Sequence, residues 1–430
     1  MKKFKTSYVG FINPKYVPNL DKEFLVIYHV EPAAGHSFET VAEAIAGESS
    51  IGTWTHLETL SESTKEKLKP HVYEVDKKRK FIKIAYPLAL SEIGNLPQLL
   101  SFLGGNIFSM KIVERLRLED IAFPKKYINS CLGPYHGIAG IRKIMNIKNR
   151  ALVGSIIKPK VGLSVDETAA VAYETWRGGV DVIKDDENLT SMLFNNFYER
   201  VDKLIATRKK VEKETGEKKV FVFNITAPYD IALERARYVK RKGGRVVMVD
   251  IVAMGWSAVQ ALRKQNLGLI LHGHRAGHSM FTKDSTQGMS MLILAKLARL
   301  AGIDQLHTGT VVGKMEGTAH EVDTLNDFLR EDAGEIDYLR ENWSKLKPVM
   351  PIASGGLHPG LAAELIKILG RNLIINFGGG IHGHPDGSFA GAVAARDAVE
   401  AASLGVDLQI YAKNRPELKT ALEYWSEVKN

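Results

Sequence analysis

The chain has 430 residues, of which 45% are hydrophobic and 25% charged, so two or three domains of an ordinary globular protein are expected. Its apolar runs are too short to cross a membrane, and its N-terminus, MKKFKTSYVGF, lacks the apolar stretch of a signal peptide. The net charge is +9, and the single cysteine, Cys131, excludes an internal disulfide and favours a cytoplasmic location.

The first 135 residues predict an α+β domain. FLVIYHVEP and RKFIKIAYPL have the composition of strands, whereas FETVAEAIAGESS and LPQLLSFLGGN have the periodicity of helices. We therefore assign 1–135 to an N-terminal α+β domain.

Further along the chain, short β-branched runs alternate eight times with helical segments. The predicted strands are 152–158, 180–186, 220–225, 245–251, 268–274, 305–309, 349–354 and 372–377. Eight alternations in about 255 residues are typical of a (β/α)8 TIM barrel. A doubly wound open sheet is the competing fold. The barrel is assigned to 136–405, and 406–430 to a C-terminal helical tail that ends in ALEYWSEVKN.

Ionisable residues or glycines follow most of the predicted strands. Barrel enzymes carry their chemistry at the carboxyl ends of the strands, so these side chains are predicted to share one rim. They are Lys158 and Lys160; Lys184, Asp185, Asp186 and Glu187; Asn224; Asp250; His272, His274 and Arg275; His307; Ser354, Gly355 and Gly356; and Gly378, Gly379 and Gly380.

The second predicted strand ends in the tetrapeptide KDDE. Asp186 and Glu187 offer the hard oxygen ligands that Mg²⁺ prefers. Lys184 has the same side-chain parity as Asp186, at about 7 Å along a strand. An ammonium group aimed at a metal is repulsive, so this lysine must be neutralised or converted to an anion. A solvated acidic loop is the alternative interpretation.

Three more segments suggest ligand contacts. The glycines after the last two strands match the phosphate site of TIM barrels, although tight turns would use the same residues. Arg275 suits a second phosphate, and the His-x-His pair, His272 and His274, leaves a zinc site as an alternative. Lys314 lies in the glycine-flanked loop VVGKMEG, which is suited to opening and closing, or is a plain surface lysine.

Several longer segments, in family order over nearly the whole chain, together resemble the large subunit of ribulose-1,5-bisphosphate carboxylase/oxygenase (rubisco). ENLTS and GKMEG are most similar to the archaeal form III branch. The matching segments are AGESSIGTWT, GGNIF, IIKPKVGLS, GGVDVIKDDENLT, HGHRAGH, GTVVGKMEGTAHEV, ASGGLHPG and FGGGIHGHPDG.

The resemblance implies roles for the charged residues. Lys184 would react with CO2 to form a carbamate, which would bind Mg²⁺ together with Asp186 and Glu187. This carbamate would take the C3 proton of ribulose 1,5-bisphosphate. His274 would handle protons at the C3 oxygen, Lys158 with Lys160 would deliver the final proton, and Lys314 would hold CO2. O2 would be the alternative substrate, in an oxygenase reaction.

The resemblance also implies two phosphate sites and a homodimer. Arg275, His307 and Ser354 would bind one phosphate or its neighbouring hydroxyls. The other would be held by Gly356, Gly378 and Gly379 with Thr53 and Trp54, and Gly355 belongs to the same substrate-binding set. Glu48 and Asn106 would come from a partner subunit, so a homodimer would be the smallest active unit, with no small subunit.

Four positions depart from the better-known plant pattern: Ile156, Gly277, Met315 and Asn376. None removes a charged catalytic group, so the expected activity is carboxylation of ribulose bisphosphate. A rubisco-like enolase or isomerase is the nearest alternative. A non-catalytic protein whose basic surface binds nucleic acid is a further alternative, but the basic residues are spread among acidic ones rather than clustered.

Overall fold

The computed structural model describes residue 8 and residues 10–312, 319–331 and 339–427. The strands are, in chain order, β1 (Glu23–Pro32), β2 (His71–Asp76), β3 (Phe81–Pro87), β4 (Val113–Ala122), β5 (Leu152–Ile156), β6 (Val182–Lys184), β7 (Val220–Asn224), β8 (Val246–Asp250), β9 (Ile270–His274), β10 (Gly288–Met289), β11 (Gln305–His307), β12 (Met350–Ser354) and β13 (Ile374–Phe377).

The α-helices are α1 (Phe38–Glu48), α2 (Glu62–Leu68), α3 (Leu96–Leu103), α4 (Lys125–Ser130), α5 (Gly137–Met145), α6 (Val165–Arg177), α7 (Phe197–Thr215), α8 (Tyr229–Arg241), α9 (Ile251–Lys264), α10 (Ser279–Thr282), α11 (Met291–Ala301), α12 (Ala319–Arg330), α13 (Ala362–Leu369), α14 (Gly379–His382), α15 (Gly387–Leu404), α16 (Leu408–Tyr411) and α17 (Pro416–Glu427). Among the residues described above, no helix combines the length and apolar composition needed to cross a bilayer.

The chain divides into two compact units, of which the first comprises Met1–Leu132, Gly277–Leu300 and Glu331–Leu346. Its five-stranded sheet has the order β10-β4-β1-β3-β2, with β10 parallel to β4 and the other pairs antiparallel. The α+β character predicted for the N-terminal region is confirmed. The predicted limits 1–135, 136–405 and 406–430 remain predictions.

The second unit comprises Gly133–Ala276, Ala301–Arg330 and Lys347–Asn430 and contains a closed barrel. Its strands are parallel in the order β11-β12-β13-β5-β6-β7-β8-β9, and β11 also pairs with β9. That last pairing removes the free edges of an open sheet. The TIM barrel prediction is therefore confirmed, and the doubly wound alternative is wrong.

An apolar layer occupies the amino-terminal half of the barrel. It combines strand residues with Ile138, Ile141 and Met145 of α5, and its strand members are Leu152, Val182, Val220, Val222, Val246, Met248, Ile270, Met350, Ile352 and Ile374. Each fully buried side chain of this kind contributes about 1.5–3 kcal/mol. Because this layer is apolar, the polar side chains that point inward lie nearer the carboxyl ends of the strands.

Candidate active site

Lys184 is a fully buried charged residue at the carboxyl rim. It ends β6, on the same strand face as Val182 of the apolar layer, and its residue exposure is 0%. Its Nζ donates to the carbonyl oxygen of Asp185 at 2.8 Å and lies 3.9 Å from Oε2 of Glu187. Burial lowers the pKa of Lys184 against the opposing charges of Glu187 and Asp186. The neutral, nucleophilic amine is thus more accessible than in a surface lysine.

Two carboxylates lie beside this lysine and contact further ammonium groups. Oδ2 of Asp186 accepts from Nζ of Lys158 at 3.0 Å, and Oε1 of Glu187 lies 3.5 Å from Nζ of Lys160. Burial acts to raise the pKa of Asp186, but the hydrogen bond and charge of Lys158 lower it below its ordinary value. Both lysines predicted to act in proton transfer therefore contact the predicted metal ligands.

The donor set fits Mg²⁺ on one condition. Asp186 and Glu187 supply hard oxygen atoms, and their contacts with Lys158 and Lys160 show that positive charge is accommodated at this position. Within the described part of the chain, no group of three His, Cys, Asp or Glu side chains is arranged to hold a metal. A carbamate on the buried Lys184 would supply a third anionic oxygen ligand beside Asp186 and Glu187.

The remaining acid of the tetrapeptide, Asp185, faces the opposite side of the strand. Its Oδ2 is 3.2 Å from Nη2 of the fully buried Arg200 and accepts from the backbone N–H of Asn224 at 2.9 Å. The Asn224 amide in turn donates to the carbonyl oxygen of Glu187 at 2.9 Å. Asp185, Arg200 and Asn224 thus fix the backbone that carries Asp186 and Glu187.

His274 lies between two carboxylates. Its Nε2 is 3.6 Å from Oε2 of Glu187, and its Nδ1 is 3.1 Å from Oδ1 of Asp250. The backbone N–H of Ala276 also approaches Nδ1, at 3.1 Å. The two contacts compete, because Nδ1 either accepts from Ala276 or donates to Asp250. Burial lowers the pKa of His274, which favours the neutral ring that a proton acceptor needs.

Two further histidines, His272 and His307, lie next to His274. Nε2 of His272 and Nε2 of His307 are 2.9 Å apart, and Nδ1 of His272 is 3.0 Å from Oε1 of Gln305. The rings of His274 and His307 have centroids 4.6 Å apart. Burial moves the pKa of both His272 and His307 well below the ordinary value, so both are neutral.

Arg275 lies against the glycine that follows β11. A side chain built at Gly309 would place its Cβ 2.7 Å from Nη2 of Arg275, and Gly309 has φ +93°. Burial lowers the pKa of Arg275 to about 10. A half-buried guanidinium that stays protonated at neutral pH beside a bare backbone is a suitable partner for a phosphate.

The two predicted glycine turns follow adjacent strands. Ser354 pairs in register with Asn376, so the turn after β12 and the turn after β13 lie side by side. Gly355 and Gly356 have φ values of +126° and +65°, which favour glycine. A Cβ at Gly378 would contact Cε of Lys158 at 3.4 Å. Gly378 is thus close to Lys158, and Gly379 follows it in the chain.

Two of the departures from the plant pattern have structural consequences. Gly277 has φ +80°, a conformation that glycine adopts without strain. Asn376 is buried, and neither polar atom of its side-chain amide has a hydrogen-bond partner among the residues that the structure describes. A Cβ at the neighbouring Gly154 would lie 2.1 Å from Oδ1 of Asn376, so Gly154 and Asn376 are matched in size.

The other predicted site residues belong to the first unit. Glu48 and Asn106 line one cavity of that unit, and Glu48 accepts a hydrogen bond from the Tyr8 hydroxyl. Thr53 and Trp54 follow α1, and Trp54 is 72% exposed. Lys314 and Met315 lie outside the described residues.

Sequence reasoning gave no role to Asp250, Gln305 or His382. For Asp250 the sequence offered one signal, its place at a strand end. Gln305 is recognised from the structure, because the pairing of β11 with β9 places it opposite His272. His382 lies within the glycine-rich segment FGGGIHGHPDG, where the glycines carried the interpretation.

Two family models cover most of the chain. Residues 137–425 match the ribulose bisphosphate carboxylase large chain, catalytic domain. Residues 10–127 match the N-terminal domain of the same large chain.

Full-length relatives and solved structures agree with these matches. The chain is 48% identical to a ribulose bisphosphate carboxylase of Methanosarcina mazei, over 96% of this chain and 98% of that protein. An octameric rubisco from Pyrococcus horikoshii, solved with sulfate, has a TM-score of 0.93 at 47% identity, with 100% of both chains covered. A dimeric archaeal rubisco from Hyperthermus butylicus has a TM-score of 0.92 at 41% identity, covering 98% of this chain and 100% of that one. The chain therefore belongs to the ribulose bisphosphate carboxylase large-chain family.

Proposed function

We propose that the protein is a Mg²⁺-dependent carboxylase that converts ribulose 1,5-bisphosphate, CO2 and water into two molecules of 3-phosphoglycerate, with an oxygenase reaction when O2 replaces CO2. The observation that carries the proposal is the burial of Lys184 beside Asp186 and Glu187. A cation in that position is unfavourable, and its conversion to an anion completes a set of three hard ligands.

Activation begins with the neutral amine of Lys184. Its nitrogen attacks the carbon of CO2, a C–N bond forms, and one proton leaves the nitrogen, so the side chain gains a negative charge. Together with Asp186 and Glu187, the resulting carbamate would hold Mg²⁺. The bound ion supplies a Lewis acid that stabilises the enediolate of the substrate.

The side chains around this centre are suited to proton transfer. The Lys184 carbamate accepts the C3 proton of the substrate, and His274 exchanges protons at the C3 oxygen. Lys158 is half-buried and hydrogen-bonded to Asp186, where it holds a proton for the carboxylated fragment, and Lys160 supports it from the side of Glu187. We assign the binding of CO2 to Lys314.

Two phosphate sites fit the rest of the rim. We assign one of them to Arg275, which brings a half-buried positive charge, together with His307 and Ser354. Backbone N–H groups of the glycine turns would hold the other phosphate, with Thr53 and Trp54 from the first unit. The proposed members of these turns are Gly355, Gly356, Gly378 and Gly379.

Glu48 and Asn106 are proposed to complete the site of a partner subunit, so the smallest active assembly would be a homodimer. Related archaeal structures are described as dimeric and octameric, which supports assembly from copies of one chain. We expect no small subunit. A cytoplasmic location is proposed because the chain has a single cysteine, the buried Cys131.

Product analysis tests the proposal against the enolase alternative. The protein is incubated in D2O with ribulose bisphosphate, Mg²⁺ and 13C-bicarbonate, and the products are followed by NMR. A carboxylase gives 3-phosphoglycerate with 13C in one of every two carboxylates. Exchange of the C3 proton for deuterium, or an isomerised sugar, without 13C in any product would refute carboxylation and favour the enolase.

A further inference from the structure

Three polar side chains of the second unit form a chain beneath the glycine turn that follows β13. Ser155 lies in β5, His382 ends α14, and Ser388 lies in the first turn of α15. The Ser155 hydroxyl donates to the carbonyl oxygen of Phe377 at 3.1 Å and is 3.1 Å from Nε2 of His382. Nδ1 of His382 is 2.9 Å from the hydroxyl of Ser388.

The direction of each hydrogen bond follows from the donors available. A hydroxyl carries one proton, and the carbonyl of Phe377 can only accept, so Ser155 uses its proton there. Nε2 of His382, 3.1 Å away, then carries the ring proton and donates it to Ser155, with the backbone of Ile156 as a second acceptor near the ring. In the neutral ring Nδ1 is an acceptor, so Ser388 donates to His382.

The neutral ring is also the favoured one. Burial lowers the pKa of His382 to about 4; the charge of Lys158 acts in the same direction, against a hydrogen bond to the backbone of Ile156. His382 therefore keeps one tautomer at any pH at which the enzyme would work.

The last acceptor of this chain bears on the phosphate turn. Phe377 ends β13, and its carbonyl belongs to the same planar peptide as the N–H of Gly378. Since the two bonds point in opposite directions in a trans peptide, fixing the carbonyl also fixes the N–H. The same turn is close to the site lysine Lys158, which follows Ser155 by three residues. A Cβ built at Gly378 would lie 3.4 Å from Cε of Lys158.

We propose that His382 is a positioning residue which, through Ser155, orients the Phe377–Gly378 peptide so that the N–H of Gly378 meets a substrate phosphate. This role rests on the proposed function, because it requires that the glycine turn bind phosphate. His382 does not touch the substrate; it acts only through the hydroxyl of Ser155.

The test compares four variants in steady-state kinetics with ribulose bisphosphate. His382→Leu removes both ring nitrogens at similar bulk. It is expected to raise KM about 5–10-fold, the effect of roughly one hydrogen bond, and to change kcat less than about twofold. His382→Gln keeps an N–H donor, so its KM should return to within about twofold of the unmutated value. Ser155→Ala should raise KM at least as much as His382→Leu, and adding His382→Leu to Ser155→Ala should raise it no further, because His382 acts only through Ser155.

His384 provides a matched control two residues along. Its Nε2 is 3.0 Å from the carbonyl oxygen of Glu417, and its Nδ1 accepts from the N–H of Asp386 at 3.1 Å. His384→Leu is expected to lower Tm and leave KM unchanged. The KM ratio of His382→Leu to the unmutated protein should stay flat between about pH 6 and 9, since His382 does not titrate there.

An unchanged KM in His382→Leu, an equal rise in His384→Leu, or no rescue by His382→Gln would each overturn the positioning role. A protein that does not turn over ribulose bisphosphate would refute the proposed function but still leave the role testable by calorimetry with inorganic phosphate. Binding weakened about 5–10-fold in His382→Leu, and unchanged in His384→Leu, supports the role. Equal affinities, or no phosphate binding by the unmutated protein, overturn it.

Discussion

Replacing Lys184 by methionine should abolish activity and make the protein more stable. The side chain is fully buried and burial lowers its pKa, so the ammonium form is disfavoured in the folded state. Each unit by which a pKa is lowered corresponds to about 1.4 kcal/mol. Methionine fills similar space without a charge, and the carboxylates keep other partners, Lys158 for Asp186 and Lys160 for Glu187. Such replacements are often stabilising by about 1 kcal/mol or more.

The sign of the pH dependence follows from the same shift. In the unfolded chain the lysine titrates near its ordinary value of about 10.4, so the unfolded state binds more protons at any pH between the folded and unfolded pKa values. The free energy of unfolding contributed by Lys184 therefore rises with pH across that window. At pH values below this window Lys184 is protonated in both states, and the full cost of burying its charge lowers the free energy of unfolding. The Lys184→Met variant has no titrating group at this position and lacks this pH dependence.

The assay combines thermal unfolding with turnover. At neutral pH, Lys184→Met should melt about 2–4 °C higher, the shift expected for roughly 1 kcal/mol in a barrel-sized domain. It should lose about three decades or more of activity, equivalent to about 4 kcal/mol of barrier. Lys219 is the control, because it is equally buried but donates to a carboxylate, Glu217, at 2.7 Å, as well as to Val180 at 2.9 Å, whereas Lys184 lies 3.9 Å from Glu187. Lys219→Met should be less stable and remain active, and a Lys184→Met variant that melts lower, or that still turns over, would refute this reasoning.

Three further predictions concern the backbone under the metal site, the dimer and the loop lysine. Arg200→Met leaves Asp185 buried without its charge partner and should lower the free energy of unfolding by about 3–5 kcal/mol in denaturant titrations; a loss below about 1 kcal/mol would contradict the pairing. Inactive Glu48→Gln and Lys158→Ala proteins should regain activity when co-assembled, because each mixed dimer would hold one site free of both changes. Continued inactivity of verified mixed dimers would place the site within one chain. Lys314→Ala should still exchange the C3 proton at saturating substrate while fixing little CO2, and equal losses of both would contradict its assignment to the CO2 step.

The rim residues were predictable because strand alternation is local. A period of two places Val182 in the barrel core and Lys184 on the same face above it, with Asp185 turned away towards Arg200. Eight such strands predicted a barrel, and the barrel predicted that their carboxyl ends meet.

Contacts across the closed sheet could not be predicted in this way. The proximity of His272 to Gln305 depends on the register between β9 and β11, and that of Ser155 to Phe377 on the pairing of β5 with β13. The first contact depends on the exact register of two successive barrel strands, and the second joins residues 222 positions apart in the sequence. Likewise, β10 is only two residues long, Gly288–Met289, so no period could indicate that this segment joins the sheet of the first unit.

The most direct test of the central claim is the fixation of 14C-bicarbonate per molecule of ribulose bisphosphate consumed. The protein is preincubated with bicarbonate and Mg²⁺, the substrate is added with O2 excluded, and acid-stable label is counted against substrate loss. The account predicts one label per substrate, recovered in 3-phosphoglycerate, with fixation lost in Lys184→Met. Consumption of ribulose bisphosphate without acid-stable label, or full fixation by Lys184→Met, would contradict it.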